Sequence, residues 1–217
     1  MASWIAFIRK MLLKPLLISI IKISLIFPRI TVPYFENLNY TQKLEGQHLY
    51  LTLRLGVIKD MPYNLALAIN KIEVKKEKKF PSLARKIAGR GTYMERIQKI
   101  LHWIRKNVVY DEKDRVESPV IVLEKRRGSC IGFSSLATAL LNSIEIPAKI
   151  ATGYIIRDGK PVPHRWIEVY FPGQGWAFFD PQKEIDSPDY IFMGYNGLST
   201  WPVFSLKTIK VEREIRN

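Results

Sequence analysis

The stretch between residues 128 and 147 constrains the fold most, because apolar residues recur in it at helical spacing. Pro147 ends the run, and Ser129 stands where an N-cap residue is expected. The apolar positions are Phe133, Leu136, Ala137, Leu140, Leu141 and Ile144. The pattern predicts an apolar helix whose first turn contains Cys130, the only cysteine in 217 residues.

The low cysteine and histidine counts restrict what can stabilise this chain. One cysteine cannot form an intramolecular disulfide, and one cysteine with three histidines falls short of a structural zinc site. The composition, 47% hydrophobic and 12% aromatic, is instead sufficient for a packed core. The single thiol is therefore either a small buried residue or a reactive group.

The position of Cys130 at a helix start slightly favours the reactive interpretation. Backbone N–H groups and the positive end of the helix dipole stabilise an anion there, so the pKa of a thiol is lowered toward the nucleophilic thiolate. The alternative is a small buried hydrophobic residue, which is how free cysteine usually occurs. The helix alone leaves both interpretations open.

A second feature, HRWIEVYFPGQGWAFFDP at residues 164–181, predicts two antiparallel strands joined by a Pro-Gly-Gln-Gly turn. A turn centred on Pro172 places His164 opposite Asp180, and a register shift of two would keep both on one face as diagonal neighbours. The carboxylate can then hold one imidazole nitrogen and leave the other free for the thiol. Each residue taken alone has an ordinary structural explanation. His164 could be a buried core histidine, and Asp180 could begin a turn. Their coincidence at the matched ends of one hairpin favours a catalytic set of Cys130, His164 and Asp180.

At these residues the sequence resembles the transglutaminase-like (papain-like) cysteine enzymes. The motif GSC before an apolar helix, the strand IPAKIATGYI, and then HRWIEVY and GWAFFDP follow in that family's order and spacing, and NVVYDEK matches the end of its upstream helix. The resemblance covers about residues 82–181. It implies an α+β fold in which the catalytic helix packs against an antiparallel β-sheet. It also implies that Cys130 is the nucleophile, His164 the base and Asp180 the residue that orients the base.

The activity that this resemblance implies is acyl transfer on amide bonds. A peptide or protein substrate, or its glutamine-type carboxamide, would form a thioester that water or an amine resolves, without a metal or organic cofactor.

Two positions depart from the family pattern. Gly132 stands where many members carry an acidic residue, and Arg165 stands where a small residue often follows the histidine. These departures leave the three catalytic candidates intact and leave the substrate open.

Two other functions remain open from the sequence. A catalytically silent transglutaminase-like module could bind or scaffold, including at a membrane surface. Arylamine-type acetyl transfer would use the same three residues as amide chemistry. The presence of all three residues favours an enzyme over a binding module.

The first 30 residues carry five lysines and arginines and no acidic residue. The proline-free part between Pro15 and Pro28 would be about 18 Å long as a helix, against roughly 30 Å for a hydrocarbon core, so a membrane span is not expected. Lys22 interrupts this part, and no small-x-small pattern follows, so a cleavable signal peptide is not expected either. We predict an apolar helix that packs on the protein or lies on a membrane surface through residues 4–27. Cytoplasmic and membrane-associated locations therefore both remain open.

The net charge of +14 does not predict a nucleic-acid partner. Residues 71–90 hold eight lysines and arginines against two glutamates, but Phe80 is the only aromatic residue among them. Nucleic-acid surfaces usually interleave aromatic side chains with basic ones or belong to a known binding module. We interpret the cluster as a solvated strand end or loop.

The remaining patterns predict strands on both sides of one long helix. HLYLTLRLGV at residues 48–57 and NLALAINKIEV at 64–74 alternate as the two strands of a hairpin. TYMERIQKILHWIRKNVVY predicts a helix that begins with a capping box of Thr92 and Glu95. The tail from Asp186 predicts irregular structure, followed by a closing strand at LKTIKVERE.

The domain organisation that follows has three parts. Residues 1–30 form the basic apolar segment, and residues 31–80 form a β-rich extension. Residues 81–217 form the transglutaminase-like catalytic domain.

Overall fold

The computed structural model describes residues 16–25, 32–74, 80–195 and 206–216, with only the backbone described for the first and last of these ranges. The predicted membrane-surface helix therefore lies mostly outside the described residues. Within the described ranges, no helix combines the length and apolar character that a membrane span requires.

The described chain is a mixed α+β protein. Its helices are α1 (Tyr63–Ile69), α2 (Pro81–Ala88), α3 (Tyr93–Asn107), α4 (Pro119–Lys125) and α5 (Cys130–Ser143). Its first six strands are β1 (Leu16–Leu25), β2 (Phe35–Glu36), β3 (Tyr40–Glu45), β4 (His48–Leu55), β5 (Val109–Tyr110) and β6 (Arg127–Gly128). The other strands are β7 (Ala148–Arg157), β8 (Lys160–Phe171), β9 (Gly175–Phe179), β10 (Tyr190–Tyr195) and β11 (Leu206–Arg216).

Two antiparallel sheets and a layer of helices make up the fold. One sheet has the strand order β11-β1-β4-β3-β2 and the other β10-β7-β8-β9, while β5 and β6 form a short parallel pair. One face of the four-stranded sheet shares a core with the helices, and the other face shares a second core with the five-stranded sheet. The predicted α+β architecture, with the cysteine-bearing helix against an antiparallel sheet, is confirmed.

Helix α5 is the centre of the helical layer. Ten of its 14 residues are buried, so the rest of the chain covers this predicted apolar helix on nearly every side. Helix α3 packs against it and begins at the predicted capping box. The Thr92 hydroxyl accepts the N–H of Glu95 at 3.3 Å, and the Glu95 carboxylate accepts the N–H of Thr92 at 2.9 Å.

The prediction of an N-terminal apolar helix is wrong for residues 16–25. These residues form β1, which pairs with β11 on one side and with β4 on the other. The segment is rich in isoleucine, whose branched side chain suits a strand, and both of its backbone edges find partners. The predicted closing strand is confirmed as β11, which lies at the edge of this sheet.

The prediction of a strand at residues 64–74 is also wrong, because residues 63–69 form α1. Both edges of β4 are already paired, with β1 and with β3, so this segment has no free edge of β4 to join. Leucine and alanine favour a helix, and in this helix Ala66 is buried while Leu65 and Ile69 are exposed. The predicted strand at residues 48–57 is confirmed as β4.

The tail contains one more strand than the sequence predicted. Residues 190–195, predicted as irregular, form β10 and pair with β7. Tyr190, Ile191 and Phe192 are buried there against the five-stranded sheet. This strand brings a tyrosine close to the candidate site.

Candidate active site

Cys130 is the first residue of α5, as predicted. Ser129 is the N-cap residue with an extended backbone, but its side chain makes no capping hydrogen bond. The thiol is partly buried and hydrogen-bonds the His164 side chain, and the backbone N–H of Arg165 donates to its sulfur. The sulfur therefore lies between a helix start and strand β8.

His164 and Asp180 are brought together by the hairpin of β8 and β9. His164 Nε2 lies 2.8 Å from Asp180 Oδ2, and both residues are 2% exposed. Because Nε2 is engaged by the carboxylate, Nδ1 is the ring nitrogen left for the thiol. All three predicted site residues thus lie in one continuous chain of hydrogen bonds.

The register of this hairpin differs by two from the predicted one. Ile167 pairs with Phe179, so His164 and Asp180 are diagonal neighbours instead of direct partners. The turn is centred on Gly173, whose φ of +74° favours glycine, and not on Pro172. A shift of two keeps both side chains on one face, so the predicted contact survives.

The Asp180 carboxylate has two further partners. The Tyr190 hydroxyl donates to Oδ2 at 2.8 Å, and the backbone N–H of Gln182 donates to Oδ1 at 2.8 Å. Arg105 Nη1 lies 3.5 Å from the main-chain oxygen of Asp180. The sequence does not identify Tyr190 as a site residue, because the segment that contains it predicts irregular structure.

The pKa shifts of the three groups all favour the charged form of each side chain. Burial raises the pKa of the Cys130 thiol, but the hydrogen bond and charge of His164 together with the N–H of Arg165 bring it below its ordinary value. Burial lowers the pKa of His164, but Asp180 and Cys130 outweigh this and raise it to about 9. Burial raises the pKa of Asp180, and His164, Gln182 and Tyr190 lower it to a net value below the ordinary one. Together these shifts favour a thiolate–imidazolium pair beside a carboxylate.

This arrangement predicts a pH-dependent contribution of His164 to stability. Because folding raises its pKa from 6.5 to about 9, the contribution is complete below the unfolded pKa and is lost as the pH rises through about 9. We expect the free energy of unfolding lost in His164→Gln, measured by urea denaturation, to be larger at about pH 6 than at about pH 10. An equal or larger loss of free energy at the higher pH would contradict the raised pKa of His164.

Tyr110, which the sequence did not identify, lies near the start of α5 because it pairs with Gly128 on β6. Tyr110 is 43% exposed and packs its ring against Phe133, with centroids 6.2 Å apart. Burial raises the pKa of Tyr110, and the Cys130 thiol contributes to the same shift. Arg165, one of the two departures from the family pattern, pairs with Glu117 at 2.6 Å.

The other departure, Gly132, has a packing reason. A Cβ atom at this position would lie 2.8 Å from Val122 Cγ2 and 3.2 Å from the main-chain oxygen of Val116. Helix α4 therefore approaches α5 too closely for an acidic side chain at this position.

Most of the aromatic residues on strands β7, β8 and β9 are core residues. Trp166, Phe178 and Tyr154 are buried between the two sheets, and Phe179 is a half-buried residue against the helical core. Trp176 lines a separate cavity of about 530 Å³ between the sheets, together with Glu168 and Tyr195. Glu168 is only 1% exposed and its carboxylate is engaged by Asn37, Tyr195 and Lys149. This cavity is lined by none of the three candidate residues.

No group of three or more histidine, cysteine, aspartate and glutamate side chains is arranged to hold a metal ion within the described part of the chain. Cys130, His164 and Asp180 instead form a relay of hydrogen bonds, in which Cys130 contacts His164 and His164 contacts Asp180. Such a relay can generate a nucleophile and move a proton.

Comparison with known proteins gives matches in both sequence and structure. Residues 81–181 match a family model described as the transglutaminase-like superfamily. The uncharacterized protein YebA of Bacillus subtilis (strain 168) is 33% identical over 96 residues, which covers 38% of this chain and 13% of that protein.

Comparison of structures gives two crystal structures that match this chain. A candidate cysteine protease from Cytophaga hutchinsonii has a TM-score of 0.56 and 15% identity, over 94% of this chain and 92% of that chain. The periplasmic domain of TgpA from Pseudomonas aeruginosa has a TM-score of 0.42 and 13% identity, over 77% and 87% of the two chains. The first of these indicates a shared fold.

Proposed function

Because residues 81–181 are a domain of the transglutaminase-like superfamily, we propose that this protein is an enzyme that transfers or hydrolyses acyl groups at amide bonds. The observation that carries this proposal is the contact between the Cys130 thiol and His164, whose other ring nitrogen lies 2.8 Å from Asp180. Nucleophile, base and orienting carboxylate are the three parts that covalent acyl transfer requires. The substrate is a peptide or a protein carboxamide.

In the thiolate–imidazolium pair His164 already holds the thiol proton, and the reaction begins when the Cys130 sulfur attacks the amide carbonyl carbon. The tetrahedral intermediate collapses as His164 returns the proton to the departing amine, which leaves a thioester on the sulfur. Water or a second amine then attacks the thioester with His164 as base. Attack by water gives hydrolysis, and attack by an amine gives a new amide bond, with the free thiol regenerated in both cases.

Backbone N–H groups at the start of α5 would stabilise the oxyanion. Ser129 makes no capping hydrogen bond with its side chain, so it does not occupy the N–H groups of the first turn. The N–H of Cys130 lies next to its own sulfur and is the first donor we assign to this role. Electrostatic stabilisation by such donors is usually a large part of catalysis by acyl-transfer enzymes.

Alkylation of the single cysteine tests this function without knowledge of the substrate. We expect iodoacetamide to label Cys130 rapidly near neutral pH, and His164→Ala to slow this labelling by about tenfold or more, because the imidazole stabilises the thiolate. Intact-protein mass spectrometry over a pH series measures the rate, and Cys130 is the only thiol that can react. His102→Ala is the control, since His102 is exposed on α3.

The same series separates an enzyme from a silent binding module. An ordinary thiol labels mainly above its pKa of about 8.5. Labelling of that kind in both the parent and His164→Ala would overturn the proposed function and favour a binding module.

A further inference from the structure

Tyr190 is the buried group next to the candidate site that the acyl-transfer steps do not use. It is fully buried on β10, beyond the residues that match the family model. A buried hydroxyl needs a hydrogen-bond partner, and that of Tyr190 is the Asp180 carboxylate, 2.8 Å away. It binds Oδ2, the same oxygen that holds His164 Nε2.

The two donors to Asp180 fix the plane of its carboxylate. The N–H of Gln182 binds Oδ1, and the Tyr190 hydroxyl binds Oδ2. With both oxygens held by groups other than His164, rotation of the carboxylate would break at least one of these bonds. Oδ2 is thus directed at the imidazole before any substrate arrives.

A second tyrosine, from the other sheet, fixes the backbone that carries Tyr190. Tyr40 on β3 is fully buried, and its hydroxyl lies within hydrogen-bonding distance of the main-chain oxygens of Pro188, at 3.0 Å, and Tyr190. Tyr40 also lies outside the family match. The five-stranded sheet is thereby connected to Asp180 through two tyrosines.

We propose that Tyr190 is a positioning residue that holds Asp180 in line with His164, and that Tyr40 holds Tyr190 in turn. This inference rests on the proposed function, because it concerns the residue that orients the candidate base. It assigns a role at the site to the five-stranded sheet.

Labelling of Cys130 measures the effect, with Tyr93→Phe as the matched control. We expect Tyr190→Phe to slow iodoacetamide labelling at neutral pH by about tenfold, the effect of one lost hydrogen bond to a charged group. Tyr40→Phe should slow it in the same direction by less. Tyr93 is equally buried and its hydroxyl donates to the Tyr170 main-chain oxygen at 2.9 Å, so its removal should lower thermal stability and leave the labelling rate unchanged.

A double-mutant cycle separates positioning from general loosening of the fold. If Tyr190 acts through Asp180, then Tyr190→Phe should have no further effect on labelling in an Asp180→Asn background. An effect of the same size in both backgrounds would overturn the inference, because it would show that Tyr190 acts independently of Asp180. So would a Tyr190→Phe variant that labels at the parent rate.

The outcomes also distinguish this inference from the proposed function. If His164→Ala slows labelling and Tyr190→Phe does not, the inference fails and the proposed function stands. If His164→Ala labels at the parent rate, the proposed function fails, and the positioning role fails with it.

Discussion

Replacement of Cys130 by serine should lower the rate of the proposed acyl transfer by about three orders of magnitude or more, as loss of the nucleophile does in enzymes that form a covalent intermediate. A serine hydroxyl does not ionise near neutral pH, and the His164 site that favours a thiolate cannot supply an alkoxide. The acyl donor can be p-nitrophenyl acetate, an activated ester that reports acylation whatever the natural substrate is. Release of nitrophenol gives the rate, and peptide mapping locates the acetyl group on residue 130.

Ser134→Ala is the control for this experiment. Ser134 lies one turn further along α5 and is fully buried, with a hydroxyl that has no hydrogen-bond partner among the described groups. Its replacement should leave acylation at the parent rate. Acylation of the Cys130→Ser variant at that rate would show that another group is the nucleophile.

Replacement of Gly153 by alanine should destabilise the protein by about 3 kcal/mol or more, at the upper end of overpacking effects. A Cβ atom at this position on β7 would lie 1.9 Å from the main-chain oxygen of Ile191 on β10, and 3.0 Å from Trp166 Cη2. Neither a backbone oxygen nor a buried indole can move aside without separating the two strands. Calorimetry should show a decrease in the melting temperature of roughly 6–12 °C for a chain of this size.

The same substitution should also disturb the geometry of the candidate site. Gly153 pairs with His164 across the sheet, and the displaced strand carries Tyr190. We therefore expect slower Cys130 labelling in the folded variant. Gly128→Ala is the stability control, because a Cβ there would meet its nearest neighbour at 3.4 Å, an ordinary contact distance. A melting temperature for Gly153→Ala equal to that of Gly128→Ala would contradict this packing.

The helical elements near the site were predictable because their signals are local. The spacing of apolar residues after Cys130 specifies a buried helix, and the pair of Thr92 and Glu95 specifies where α3 begins. The hairpin of β8 and β9 was predictable from its alternation and turn residues. Its register was wrong by two because the turn is centred on Gly173, one residue later than predicted, and the Pro-Gly-Gln-Gly sequence has two glycines that both adopt a positive φ.

The strand and helix errors share a different cause. Residues 16–25 were predicted as a helix and form a strand, while residues 64–74 were predicted as a strand and begin with a helix. Both segments are apolar and short enough for either structure. Whether such a segment forms a strand or a helix depends on whether an unpaired sheet edge is available to it. The strands that provide this edge lie elsewhere in the sequence, as β4 and β11 do for β1.

The sequence by itself determined which reactive side chains can be brought together at the site. One thiol at a helix start, with a histidine and an aspartate on one face of a hairpin, follows from periodicities of a few residues. Only the tertiary structure decided how the aspartate is held, because Tyr190 and Tyr40 come from strands of two different sheets. Contacts between distant strands depend on the pairing of the whole chain, and no local pattern records them.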